Sequence, residues 1–162
     1  MPLSLPPKDT YLVGVISDTH NLMRAEALSA LAGAELIIHA GDIGRPEVLD
    51  ALGGVAPVVA VRGNNDREAW ARAVAETETI QLGEVRIYLL HAVRELTLDP
   101  AAGGFDVVIS GHSHRPSVTR RAGVLYLNPG SAGPRRFKLP VTVARLTVRG
   151  RSCRARIVEL KV

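Results

Sequence analysis

The chain has 162 residues, 46% hydrophobic and 22% charged, which predicts one folded domain, 1–162, and excludes a multidomain, collagenous or coiled-coil protein. Its lone cysteine, Cys153, excludes an internal disulfide framework, and the net charge of +4 is too small to imply a partner by itself. The opening Met1-Pro-Leu-Ser-Leu-Pro-Pro-Lys lacks an export signal and no run reaches the roughly 20 apolar residues of a membrane span, so a cytoplasmic location without membrane contact is expected.

In chain order, residues 1–9 read as a flexible N-terminal extension. Tyr11 to Ser17 is a short apolar run rich in β-branched residues, predicting a strand, and Met23 to Leu31 carries a helical pattern. Glu35 to His39 predicts a second buried strand, Pro46 to Leu52 a helix with proline just inside its start, and Pro57 to Val61 a third strand. Arg67 to Ala75 reads as helical. This alternation predicts parallel strands joined by right-handed crossovers. Beyond it, Thr79 to Leu82 and Val85 to His91 flank Gly83-Glu84 as a hairpin, the first strands of a second sheet. A helix near Glu95 to Ala102 and a strand at Asp106 to Ser110 follow. Strands at Ser117 to Arg121 and Val124 to Leu127 turn at Ala122-Gly123, and strands at Val141 to Val148 and Arg151 to Val158 turn at Arg149-Gly150. The expected fold class is α/β, two packed mixed sheets with flanking helices.

Charge is unevenly spread. Residues 1–114 hold eight basic and fifteen acidic side chains, whereas residues 115–162 hold twelve basic and one acidic. A basic C-terminal third attracts polyanions, yet Arg145, Thr147 and Arg149 alternate with Ala144, Leu146 and Val148 as on a half-buried strand, so a solvated face is the preferred reading. Arg154 and Arg156 alternate with Cys153, Ala155 and Ile157 in the same way, which makes Cys153 a small core residue.

Chemically capable residues collect where apolar runs end. Asp18-Thr-His20 closes the first strand, Gly41-Asp42 follows the second, and Gly63-Asn64-Asn65-Asp66 follows the third. His91 ends a fourth and Gly111-His112-Ser-His114 a fifth. In open α/β sheets ligands bind beyond the carboxyl ends of strands, so these five ends are expected to converge. Each fragment alone has an ordinary explanation: Asp18 or Asp66 as a helix cap, Gly41-Asp42 as a turn, His91 as a core histidine. Together Asp18, His20, Asp42, Asn64, His91, His112 and His114 exceed what one ion needs, and two ions sharing a carboxylate fit better. Imidazole and carboxylate ligands suit manganese, iron, zinc, cobalt or nickel, and the residues leave the choice among them open. His39, inside an apolar run, reads as structural.

The set Asp-x-His, Gly-Asp, Gly-Asn-Asn-Asp, His and Gly-His-x-His resembles the calcineurin-like metallophosphoesterases. Leu127-Asn-Pro-Gly-Ser131, with Arg135 after it, is similar to their small single-domain bacterial and archaeal phosphodiesterase branch, to which the retromer subunit of this fold is also related. The resemblance spans roughly Tyr11 to Leu146 and implies a four-layer α/β sandwich. It implies that Asp18, His20, Asp42 and His114 hold one divalent metal and that Asp42, Asn64, His91 and His112 hold a second. Metal-activated water would then hydrolyse a small phosphodiester.

Two positions depart from the pattern. Asn65 stands where the wider family has a histidine that protonates the leaving oxygen. An amide can hydrogen-bond a phosphate oxygen, which keeps Asn65 as the catalytic candidate, but it cannot act as an acid; slow turnover of poor leaving groups is expected. Ala92-Val93 follows His91 where relatives carry Gly-His. A scaffold without catalysis and a nuclease are the competing readings. The filled ligand set weighs against the first, and the scarcity of aromatics weighs against nucleic acid as the favoured partner. Arg62, Arg115 and Arg135 are further phosphate-contact candidates, and the C-terminal hairpin or a strand edge offers a route to homo-oligomers.

Overall fold

The computed structural model describes residues 3–162; Met1 and Pro2, part of the expected flexible extension, lie outside the described residues. From Leu3 onward the opening segment is engaged. Strand β1 (Leu3–Ser4) pairs in parallel with β5 (Thr77–Leu82), Lys8 forms an ion pair with Glu35, and the Tyr11 hydroxyl donates to the Pro6 carbonyl at 3.0 Å.

One sheet has five strands, ordered β11 (Ser152–Glu159), β10 (Thr142–Arg149), β2 (Thr10–Ile16), β3 (Leu36–His39) and β4 (Val58–Ala60). The pairings β2–β3 and β3–β4 are parallel, and β10 runs antiparallel to both its neighbours. The other has six, ordered β1, β5, β6 (Val85–Leu90), β7 (Val107–Ile109), β9 (Val124–Asn128) and β8 (Ser117–Arg121). Here β6, β7 and β9 are parallel, with hairpin partners outside them. The expected two mixed sheets are thus present.

Alternation along the strands builds the central layer. Val13, Val15, Leu36 and Ile38 from one sheet face Ile80, Ile87, Leu89, Val107, Ile109, Leu125 and Leu127 from the other, all buried. Residues of opposite parity, among them Ile16, Ile37 and Val143, pack instead on Ala27 and Leu31 of α1 (Ala25–Ala30) and its C-cap and on Val48 and Leu52 of α2 (Pro46–Gly53). Burying such side chains contributes about 1.5–3 kcal/mol each. Cys153 lies in the central layer, and burial pushes its thiol up, consistent with a packing role. Arg145 projects from β10 and donates to the Ala30 and Ala32 carbonyls, capping the end of α1.

The helices are fewer and shorter than expected. Arg67–Ala75 contains only a 3₁₀ turn at Ala69–Ala73, and Glu95–Ala102 is not helical. A 3₁₀ turn at Val93–Glu95 reaches only its first residue, after which Leu96 is extended. Pro100 disfavours helical backbone at Asp99, so a helix cannot propagate through this stretch. The outer face of the six-stranded sheet, where Leu90, Val108 and Val124 pack with Tyr88, Leu96 and Tyr126, is covered by this turn and irregular chain. The fourth layer is therefore thin. Among the described residues no helix is long and apolar enough to cross a membrane.

Parallel alignment within each sheet places the carboxyl ends of β2, β3, β4, β6, β7 and β9 at one end of the sandwich. The hairpin turns lie at the other.

Candidate metal centre

The loops leaving β2 and β3 are zipped together by backbone hydrogen bonds: Asp18 N–H to Gly41 O at 2.9 Å, His20 N–H to Asp42 O at 3.0 Å and Asn21 N–H to Ile43 O at 3.0 Å. From the other sheet, Gly111 N–H reaches His91 O at 2.9 Å, and His112 N–H donates to Asp18 Oδ2 at 3.0 Å across the seam. Two candidate ligand groups result. Asp18, His20 and His114 form one and Asp42, His91 and His112 the other, the donor atoms within each lying less than 4.8 Å apart.

Asp42 joins them: its Oδ2 lies 3.3 Å from His91 Nε2 and 3.7 Å from His20 Nε2. Asn64 lines the same cleft as His91 and His112. The convergence expected from the five strand ends is therefore present, and all seven candidates lie at this end of the fold.

The electrostatics call for cations. Asp18 is fully buried and Asp42 is 3% exposed, yet among the described residues no lysine or arginine pairs with either. Asp18 Oδ2 accepts from Ser17 Oγ and His112 N–H, while Oδ1 has no hydrogen-bond partner although three imidazole Nε2 atoms lie 3.4–3.9 Å away. A buried carboxylate oxygen without a donor costs free energy unless a positive charge meets it. Oxygen and nitrogen lone pairs converging without thiolates fit a pair of divalent transition metals.

Burial by itself would raise the Asp42 carboxyl. The His91 hydrogen bond, the Asn65 N–H and the neighbouring imidazoles outweigh that and hold it at about 2. Asp18 is likewise lowered, burial being overcome by His114, Ser17 and the charge of His91.

Backbone conformation marks the same residues. Asp18, His20, Asp42, His112 and His114 all have φ between 44° and 71°, the left-handed region that non-glycine residues seldom enter. Such strain collects where surrounding structure enforces a functional geometry. Close approach enforces it here: a Cβ on Gly63 would overlap the Asp42 carboxylate, and one on Gly111 would overlap Ser17 Oγ.

Supporting residues fix the ligands. His91 Nδ1–H donates to the Ala40 carbonyl at 2.7 Å, which orients the ring so that Nε2 faces Asp42 Oδ2. His39, read as structural, is buried and accepts Gly41 N–H at Nδ1. Its Nε2–H donates to Thr19 Oγ1, which in turn donates to Ile43 O. Burial lowers the His39 imidazole to about 4, so it is neutral.

Asp66 differs from its expected role as a helix cap. Its carboxylate accepts Ile43, Gly44 and Gly63 N–H at 2.9–3.0 Å, clamping the Asp42 loop to the loop after β4. Asn128 supports the histidine loop in the same manner, donating to Gly111 O and Ser113 Oγ while accepting Gly130 N–H. Ser131 Oγ donates to Asp18 O. None of these three supports is assigned from the sequence; the Leu127-Asn-Pro-Gly-Ser131 segment is the available signal for Asn128 and Ser131.

Asn65 turns toward Asp42, its backbone N–H donating to Oδ1 and its amide to Oδ2 at 3.0 and 3.1 Å. The cleft beside His91, His112 and Asn64 encloses about 430 Å³ and is walled by Arg62, Glu76, Tyr88, Arg94 and Thr97. Arg62 is paired with Glu76 at 2.8 Å, Arg135 donates to Leu139 O, and Arg115 lines a separate recess.

Known proteins share this arrangement of chain. A probable metallophosphoesterase of Methanothermobacter thermautotrophicus is 35% identical over 159 residues, covering 91% of this chain and 92% of the relative. The phosphodiesterase YfcE of Escherichia coli K12 is 30% identical over 142 residues, 71% of this chain and 76% of the relative. The crystal structure of Chaetomium thermophilum Vps29 superposes with a TM-score of 0.79 at 20% identity, covering 93% of this chain and 89% of that one. Residues 11–151 match the calcineurin-like phosphoesterase superfamily domain. Because the matched stretch runs from β2 to the turn after β10 and takes in every strand end described above, the chain belongs to the calcineurin-like phosphoesterase superfamily.

Proposed function

We propose that the chain is a phosphodiesterase with two divalent metal ions, manganese first among the candidates, acting on a small phosphodiester in the cytoplasm. Asp18, His20, Asp42 and His114 hold one ion, and Asp42, Asn64, His91 and His112 the other. The observation that carries this reading is Asp42 Oδ2, which faces an imidazole from each ligand group. When bound, such a pair activates a water and neutralises phosphoryl oxygens during in-line displacement. The names of the E. coli phosphodiesterase and the archaeal metallophosphoesterase support the same chemistry.

The protein's own residues set the geometry for it. Ala40 orients His91, Asp66 and Asn128 hold the ligand loops in register, and Asn65 steadies the shared carboxylate through two hydrogen bonds. The Asn65 amide cannot protonate a leaving alkoxide, a role worth about 10²–10⁴-fold when an acid fills it. Aryl esters with good leaving groups are therefore the faster substrates, and Asn65→His raises turnover of alkyl esters.

The test is hydrolysis of bis-p-nitrophenyl phosphate by metal-stripped protein after return of Mn²⁺, Ni²⁺, Co²⁺, Zn²⁺ or Mg²⁺, with Asp42→Asn and His112→Ala beside it. Activity that returns with metal and is lost in both variants supports the diesterase. Folded protein that is inactive with every metal turns the reading to the interaction scaffold.

A further inference from the structure

The loop after Ser131 has features that the ligand set does not use. Gly133 packs against the Asp18 and Thr19 carbonyls, and its own carbonyl accepts from Arg24 at 3.2 Å, so the loop begins on the rim of the first ligand group. Arg115, directly after His114, lines a shallow recess of about 550 Å³ together with Phe137, Lys138 and Leu139. Phe137 is 86% exposed, whereas the next most exposed large hydrophobic among the described residues, Val162, reaches 46%. It also holds φ 54°, a left-handed conformation that disfavours a bulky side chain.

The ring is thus displayed against both the hydrophobic effect and backbone preference. The loop is nonetheless tied, Leu139 N–H bonding Arg136 O at 3.1 Å and the Arg135 guanidinium bonding Leu139 O at 3.3 Å.

Arg115 and Lys138 line the recess with the ring, and Arg135 and Arg136 directly precede it in the loop; none of the four has a carboxylate partner among the described residues. The sequence has no acidic residue between Asp106 and Glu159. An exposed aromatic face beside cations that lack carboxylate partners is what stacks a base while binding the phosphates next to it. The cleft on the other side of the centre, by contrast, has Arg62 paired with Glu76 and Arg94 next to Glu95. The two sides are unequal, and the anionic, aromatic portion of a substrate belongs on the Phe137 side.

We infer that the loop Gly133–Leu139 is a nucleotide-recognition element, which lays a base on Phe137 and a flanking phosphate on Arg115, Arg136 and Lys138. Its placement of the scissile diester rests on the diesterase reading, and it narrows the substrate class to phosphodiesters carrying a nucleotide.

Calorimetric titration of manganese-supplemented protein with thymidine 3′,5′-bisphosphate tests the loop itself. Phe137→Ala and the double substitution Arg136→Ala/Lys138→Ala each weaken binding about tenfold, Phe137→Tyr restores it, and inorganic phosphate binding does not respond to Phe137→Ala. Equal nucleotide affinity in wild type and Phe137→Ala, or no binding by wild type, overturns the proposal. With hydrolysis as readout, the kcat/KM ratio for thymidine 5′-(p-nitrophenyl phosphate) over methyl p-nitrophenyl phosphate falls about tenfold in Phe137→Ala, and an unchanged ratio overturns the proposal. Should wild type hydrolyse neither ester, the diesterase reading fails and the calorimetric result alone decides the loop.

Discussion

The two ends of the sandwich use similar backbone conformations for opposite reasons. At the hairpin end, Gly83, Ala122, Gly123 and Gly150 have positive φ because tight turns between twisted strands require it, and a Cβ on Gly123 or Gly150 would meet open space. At the ligand end, the left-handed residues include Asp18, His20, Asp42, His112 and His114, and the nearby glycines are pressed against carboxylates and backbone. A glycine at one end shapes a turn, whereas at the other it makes room for a charge. The hairpin end can therefore relax around a change, while the ligand end, crossed by hydrogen bonds between loops from both sheets, cannot.

Substitutions at the two ends break or sharpen this contrast. The largest effect belongs to Asp42→Asn, which removes the charge shared by both ligand groups; hydrolysis of an aryl phosphodiester falls about 10³-fold in steady-state assays while the fold persists by circular dichroism. Gly111→Ala drives a Cβ into Ser17 Oγ and to 2.6 Å from Asp18 Oδ2. Overpacking of this kind costs about 3 kcal/mol in urea unfolding. Asp66→Asn replaces one accepting oxygen with a donor facing backbone N–H groups. It costs about 2 kcal/mol and weakens metal affinity roughly tenfold.

Neutral buried His39 makes stability depend on pH. Its folded value of about 4 lies below the ordinary 6.5, so the unfolded chain binds the extra proton between those limits. Stability contributed by this group is complete above pH 6.5 and is lost as pH falls toward 4. Between pH 7 and pH 5 wild type loses about 2 kcal/mol more than His39→Gln in paired urea titrations. The smallest effect is Gly150→Ala, which meets no atom and bears only its φ of 59°; about 1 kcal/mol is expected, with activity retained.

Sequence patterning carried the strands because their side chains alternate between two buried faces, and it carried the ligands because chemically capable residues sit directly after apolar runs. What it could not carry depends on distance in space. Asp66 has the same local sequence whether it caps a helix or grips the Asp42 loop, and only the return of that loop across 23 residues decides. Asn128 was visible as part of a motif but not as a support for the loop bearing His112 and His114. The helices near Arg67 and Glu95 were overread, since isolated propensity without a wide apolar face to bury yields only short turns. Phe137 counted as one of two phenylalanines in a chain poor in aromatics, and nothing local signalled that its ring stands in solvent beside the ligand end.

The central claim is that one carboxylate unites two metal sites. Metal content after manganese loading and removal of free ion, measured by mass spectrometry on wild type and Asp42→Asn, tests it most directly. The account predicts two ions per chain in wild type and loss of at least one in the variant. A single ion per chain that Asp42→Asn leaves in place would contradict it.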